Sequence, residues 1–114
     1  MGDGAQGPRL SLKRDNTPPE VRELRQYFRV MGDVLRLRLL RELAIQDEMS
    51  VSQLVAVLRV SQPLVSFHLG LLRRARLVRT RRTGRQAYYT LDREQMAHYH
   101  NLLAAFLPET HSDE

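Results

Sequence analysis

The chain contains no cysteine. That excludes disulfides and thiolate metal sites, and it fits a reducing compartment. No apolar run approaches the ~18 residues of a membrane span, and the N-terminus lacks the hydrophobic core of a signal peptide. A cytoplasmic protein is therefore expected. There is no nucleophile–base arrangement, no glycine loop for phosphate and no metal-ligand cluster of catalytic form, so an enzyme is not expected. One further absence is the most informative: no Asp or Glu occurs between Met49 and Leu91.

Arginine fills that interval. Seven arginines, Arg73, Arg74, Arg76, Arg79, Arg81, Arg82 and Arg85, lie within thirteen residues, and Arg59 makes eight. The whole chain of 114 residues has a formal charge of +5 and a pI near 10.4. The remainder is thus net acidic, and the basicity is local. Segregated charge of this kind points to a polyanion rather than to general solubility. The length suits one domain with a modest core.

The stretch from Val60 to Thr90 reads as a helix followed by a two-stranded ribbon. Ser61 is placed as an N-cap whose hydroxyl can accept a first-turn N–H, with Pro63 in the first turn, where a missing N–H costs little. At ~100° per residue, Leu64, Val65, Leu69, Leu71 and Leu72 gather on one side. Gln62, Ser66, Gly70 and Arg73 gather on the other. Small hydrogen-bonding side chains near a helix N-terminus suit base edges in the major groove, although an ordinary solvated polar face gives the same pattern. Thr83-Gly84 marks a turn between β-prone runs. Arg81, Arg82 and Arg85 on that hairpin match phosphate geometry, because the guanidinium fork donates two hydrogen bonds at once. The expected DNA-binding set is Ser61, Gln62, Pro63, Ser66, Arg73, Arg81, Arg82 and Arg85.

Residues 1–17 hold little apolar material and three glycines. They read as a disordered arm, either inert or a basic strand against DNA. Residues 18–108 form the domain, and 109–114 an acidic tail. Pro18-Pro19 starts a first helix with Val21, Leu24, Phe28 and Met31 at helical spacing, ended by Gly32. Asp33 caps a second, with Leu37, Leu40, Leu43 and Ala44 apolar. Ile45 to Met49 reads as a polar connection. Ser50 to Gln53 has the form of a capping box for a short third helix, Ser52 to Leu58, facing the core with Val51, Leu54, Val55 and Leu58. With the helix at Ser61 it makes a helix-turn-helix. Asp92 to Gln95 is a second capping box, opening a last helix that ends near Leu107. The fold class is mostly α with a small β-wing: about five helices and a two-stranded antiparallel hairpin.

The first and last helices carry apolar stripes outside the helix-turn-helix core. Leu24, Phe28, Tyr99, Leu103 and Phe106 are expected at a homodimer interface; packing within one subunit is the other arrangement.

Four histidines are present. His68 falls on the apolar side of its helix and reads as a packed structural residue. His98 and His100 point ~160° apart and cannot readily share an ion. Glu94 and His98 are four apart and can meet. Two such pairs across a dimer, with His100 nearby, would suit nickel or zinc; a surface ion pair accounts for the same spacing.

In order and spacing these segments resemble the ArsR/SmtB family of bacterial winged-helix transcriptional repressors, over roughly Tyr27 to Phe106. FRVMGDVLRLRLLREL is similar to the family's second-helix signature, with Asp33, Arg36, Leu37 and Leu40. MSVSQLVAVLRVSQPLVSFHLGLLRRARLV resembles its helix-turn-helix, with Ser61, Val65, Ser66, His68, Leu69, Leu72, Leu77 and Val78. TGRQAYYTL resembles the wing and return strand. The resemblance implies a homodimer on an inverted-repeat operator, released by a signal that is a metal ion in many members. Here the family's cysteine site is absent, and its last-helix site is broken at Glu94, Leu103 and Phe106. Arg59 and Arg76 stand where the family usually has glycine for a left-handed backbone, at a cost on the order of 1 kcal/mol. A winged helix that binds RNA or protein without an inducer is the alternative function.

Overall fold

The computed structural model describes residues 16–107. The readings of the N-terminal arm before Asn16, of His111 and of the acidic tail lie outside the described residues. The elements in order are α1 (Pro19–Met31), α2 (Val34–Gln46), β1 (Glu48–Ser50), α3 (Val51–Leu58), α4 (Gln62–Arg74), β2 (Val78–Thr83), β3 (Gln86–Leu91) and α5 (Arg93–Ala104). Among the described residues, five helices accompany a three-stranded antiparallel sheet of order β1-β3-β2.

Local chemistry sets most of the boundaries. Pro19 takes the first turn of α1, where its fixed φ is already helical. Gly32 closes α1 at φ −83, not in the left-handed region. Its smallness has another use: a Cβ there would sit 3.1 Å from the Phe28 carbonyl oxygen. Asp33 caps α2, its carboxylate accepting from the N–H groups of Leu35 and Arg36 at 2.9 and 3.0 Å. Ser50 and Gln53 form the expected reciprocal capping box, at 3.1 and 2.8 Å, so α3 begins at Val51, one residue earlier than expected. The second box forms only in part. Asp92 accepts from Gln95 N at 3.0 Å, but the Gln95 side chain turns to Tyr99 Oη and the Asp92 N–H goes to the Leu77 carbonyl.

The core is a leucine cluster. Leu39 and Leu43 of α2, Leu54 of α3, Val65, Leu69 and Leu72 of α4, and Leu77 are each fully buried. Burying a side chain of this size contributes roughly 1.5–3 kcal/mol. The α2 stripe is rotated from the expected one. Leu35, Leu39, Leu40 and Leu43 face inward, while Leu37 is 44% exposed and Ala44 is exposed. Leu37 lies ~200° around the helix from Leu35, so it cannot share the inward face that Leu35 and Leu39 define.

The Ile45–Met49 stretch is not the expected polar connection. It completes α2 and, after a positive-φ turn at Asp47, enters β1. Strand β1 pairs with β3 in the register Glu48↔Thr90, Met49↔Tyr89 and Ser50↔Tyr88. The wing is therefore tied to the entry of the helix-turn-helix. Helices α3 and α4 meet at a bend of 116°, and Arg59 joins them in left-handed conformation at φ 60, ψ 44. Among the described residues, no single helix is long and apolar enough to cross a membrane.

Candidate nucleic-acid interface

Helix α4 buries Val65, Leu69 and Leu72 completely. Its register follows from those three, and it exposes Ser61, Gln62, Pro63, Ser66, Arg73 and Arg74. Ser61 occupies the N-cap position without a side-chain cap bond, so its hydroxyl is not spent on the helix. The exposed surface is wider than the expected polar face. Leu64, expected on the apolar side, is 43% exposed, and Phe67 is 57% exposed. By helical spacing the outward centre falls near Pro63, Phe67, Gly70 and Arg74, with Gln62 and Arg73 on its flank. Sequence reasoning missed Phe67 and Arg74; a helical wheel centred on the buried trio would have shown both.

His68 lies at the edge of this helix, half-buried. Its Nδ1 meets Arg36 Nη1 at 3.1 Å, and Arg36 Nε also donates to the Val30 carbonyl at 2.6 Å. The histidine was expected packed on the apolar face; it is only half-buried, and its bond to Arg36 places it. Backbone donors, chiefly Arg36 N–H, hold the Asp33 carboxyl below the ordinary carboxylate range.

In the wing, β2 and β3 run from Val78↔Leu91 to Thr83↔Gln86. Gly84 turns the hairpin at φ 62, where a side chain would be strained although nothing crowds it. The wing arginines divide into two sets. Arg79 binds Asp92 at 3.1 Å and approaches Glu94 at 3.9 Å. Arg81 clamps Glu48 with both Nε and Nη2, at 3.1 and 2.9 Å, donates to Thr83 Oγ1, and lies 4.9 Å above the Tyr88 ring. That clamp holds the Glu48 carboxyl below its usual range. Arg81 was expected on phosphate; in the free chain its fork is occupied by a carboxylate just outside the acid-free stretch. Arg82 and Arg85 at the tip are exposed, and among the described residues no carboxylate pairs with either.

The expected interface residues divide as well. Leu24 is 3% exposed, buried within the chain, and Tyr99 is half-buried against Tyr27, ring centroids 4.4 Å apart and nearly parallel. Helices α1 and α5 thus pack on each other in one subunit. Phe28, Leu103 and Phe106 remain 48%, 40% and 48% exposed.

The structure does not bring Glu94 to His98. His98 Nε2 bonds Glu23 Oε1 of α1 at 2.8 Å, whereas the Glu94 side chain is almost fully exposed and leans toward Arg79. His100 is exposed. Among the described residues no three His, Asp or Glu side chains are grouped to hold a metal ion.

Residues 33–80, from the α2 cap to the first wing strand, match the family described as bacterial regulatory protein, arsR family. The chain is 36% identical over 91 residues to a transcriptional repressor SmtB homolog of Synechocystis, covering 80% of this chain and 68% of that one. It is 44% identical over 71 residues to the HTH-type transcriptional regulator KmtR of Mycobacterium tuberculosis, covering 62% of this chain but only 54% of that protein. Its fold is similar to that of HlyU from Vibrio cholerae, with TM-score 0.65, 31% identity, and 79% and 98% of the two chains covered. The first two of these relatives are a transcriptional repressor and a transcriptional regulator. With its winged fold and helix-turn-helix in place, the chain belongs to the arsR family of bacterial transcription regulators, the DNA-binding repressors of ArsR/SmtB type.

Proposed function

We propose that two copies of the chain clasp an inverted-repeat operator and repress transcription from it. The observation that carries this reading is the pairing of two surfaces. One is the exposed, uncharged first turns of α4. The other is a wing tip whose Arg82 and Arg85 carry no carboxylate partner among the described residues. Gln62 and Ser66 suit base edges, and the tip arginines suit phosphates. The exposed Phe28, Leu103 and Phe106 give the second copy an apolar face to cover, setting the two α4 helices for half-sites about one DNA turn, ~34 Å, apart.

Footprinting on the DNA upstream of the gene tests the operator. Protection of an inverted repeat, weakened steeply by salt, is expected. Tighter binding to single-stranded RNA or to a protein than to any duplex would overturn it. Sedimentation tests the dimer: Phe106→Glu buries a charge in the interface and should give monomers at micromolar concentration. A folded dimer would remove Phe106 from the contact. Release by a divalent ion would bring His98 together with donors beyond those it meets among the described residues of one chain. His98 would then contribute with Glu23, not Glu94, beside it. Calorimetry with nickel and zinc on the wild type and on His98→Ala tests this, and equal affinity in both excludes His98 as a ligand.

A further inference from the structure

We infer that Phe67 is a specificity-determining residue that reads the C5-methyl group of thymine in the major groove. The inference rests on the operator-binding reading above and assigns it a base.

The ring of Phe67 is 57% exposed on a helix whose opposite side is fully buried. Pro63, Leu64 and Gly70 lie within ~60° of it around α4. Leu71 and Arg74 share that face one and two turns on, the Arg74 guanidinium close to Gly70, and the ring still keeps 57% of its surface exposed. Leu64, 43% exposed, extends the apolar patch. The rest of the exposed first two turns is polar and uncharged, Ser61, Gln62 and Ser66, before the arginines begin at Arg73. The ring is also positioned before any ligand arrives. It meets the His68 imidazole edge-on, centroids 5.1 Å apart at 79°, and His68 is in turn bonded to Arg36 of α2 at 3.1 Å.

A water-exposed aromatic ring beside Leu64 on the face proposed for DNA, next to the polar edge of Gln62 and Ser66, calls for an apolar partner. Of the groups on base edges in the major groove, the thymine methyl is the apolar one. Gln62 and Ser66 supply the hydrogen bonds to neighbouring edges. Phe67 adds the apolar contact that separates thymine from cytosine and from uracil.

The test uses duplexes enriched from a random pool by the wild-type chain. The tightest duplex is then resynthesised with deoxyuridine for every thymine, which removes methyl groups and leaves base pairing unchanged. Wild type should bind the uracil duplex about fourfold more weakly for each methyl contacted, and about fifteen-fold for a symmetric pair. Phe67→Ala should bind the two duplexes alike, and Phe67→Leu should keep part of the ratio. Equal binding of both duplexes by wild type, or a full ratio in Phe67→Ala, overturns the assignment. So does a shift of Phe67→Ala to monomers without DNA, because the ring would then be covering a second copy. A pool that never enriches removes the operator reading itself, and the assignment with it.

Discussion

Arg36 Nη1 lies 3.1 Å from His68 Nδ1. A guanidinium only donates and keeps its proton. Nδ1 is therefore the acceptor of this bond, the arrangement of the Nε2–H tautomer. The bond ties the recognition helix to α2.

Nitrogen NMR of the histidine side chains should show His68 as the Nε2–H tautomer at neutral pH. Arg36→Ala should lower stability in urea by about 1.5–3 kcal/mol, the range for a hydrogen bond to a charged group. A Nδ1–H tautomer would contradict the geometry.

The two aspartate caps make the fold acid-sensitive. The carboxyl of Asp33 is lowered chiefly by the Arg36 N–H, and that of Asp92 by the Gln95 N–H and then by Arg79. A carboxyl lowered in the folded state stays ionised where the unfolded chain has already bound a proton. Its contribution is full above about pH 4 and is lost as pH falls through the folded value. Asp33→Ala should cost about 1 kcal/mol at pH 7. Asp33→Asn, which keeps an acceptor but not the charge, should cost less and lose less stability between pH 5 and 3 than wild type does. Urea titrations across that range measure both.

The division of the wing arginines predicts opposite effects on DNA binding. Replacing Arg82 and Arg85 by alanine removes up to four phosphate contacts in a dimer and should flatten the slope of log K against log salt by up to about 3.5. Glu48→Gln releases Arg81 from its clamp and should tighten binding and steepen the slope. An unchanged slope in Glu48→Gln would mean that Arg81 does not reach DNA.

Arg59 and Arg76 occupy the left-handed region at φ 60 and 65. Replacing either by glycine should stabilise the fold by about 1 kcal/mol, read as a higher denaturation midpoint. If the same change weakens DNA binding, the strain is retained for a phosphate contact.

Features decided by neighbouring residues were legible in the sequence. The caps at Asp33 and Ser50 and the turn at Gly84 depend on side chains one to three positions away. The strained backbone at Arg59 and Arg76 was legible from the family resemblance. Features decided across the fold were not. Strand β1 is three residues long, too short to alternate, and takes its pairing from Tyr88 to Thr90. The Arg81 clamp spans 33 positions to Glu48. Glu94 and His98 had helical spacing in their favour, yet Glu23, 75 positions from His98, took the imidazole. The exposed face of α4 was expected at Ser61, Gln62, Pro63 and Ser66, and the structure exposes more of the helix than that. Hydrophobicity put Leu64 inside, and the three-dimensional packing leaves it 43% exposed.

Ser50 is both the last residue of β1 and the cap of α3. A single residue thus joins the sheet that carries the wing to the helix pair that carries the reading surface. A wing that lifts would pull on the cap of α3, so in the proposed operator complex wing and α4 should release together. Each protomer should leave DNA in one event, and dissociation of a half-site should follow a single exponential.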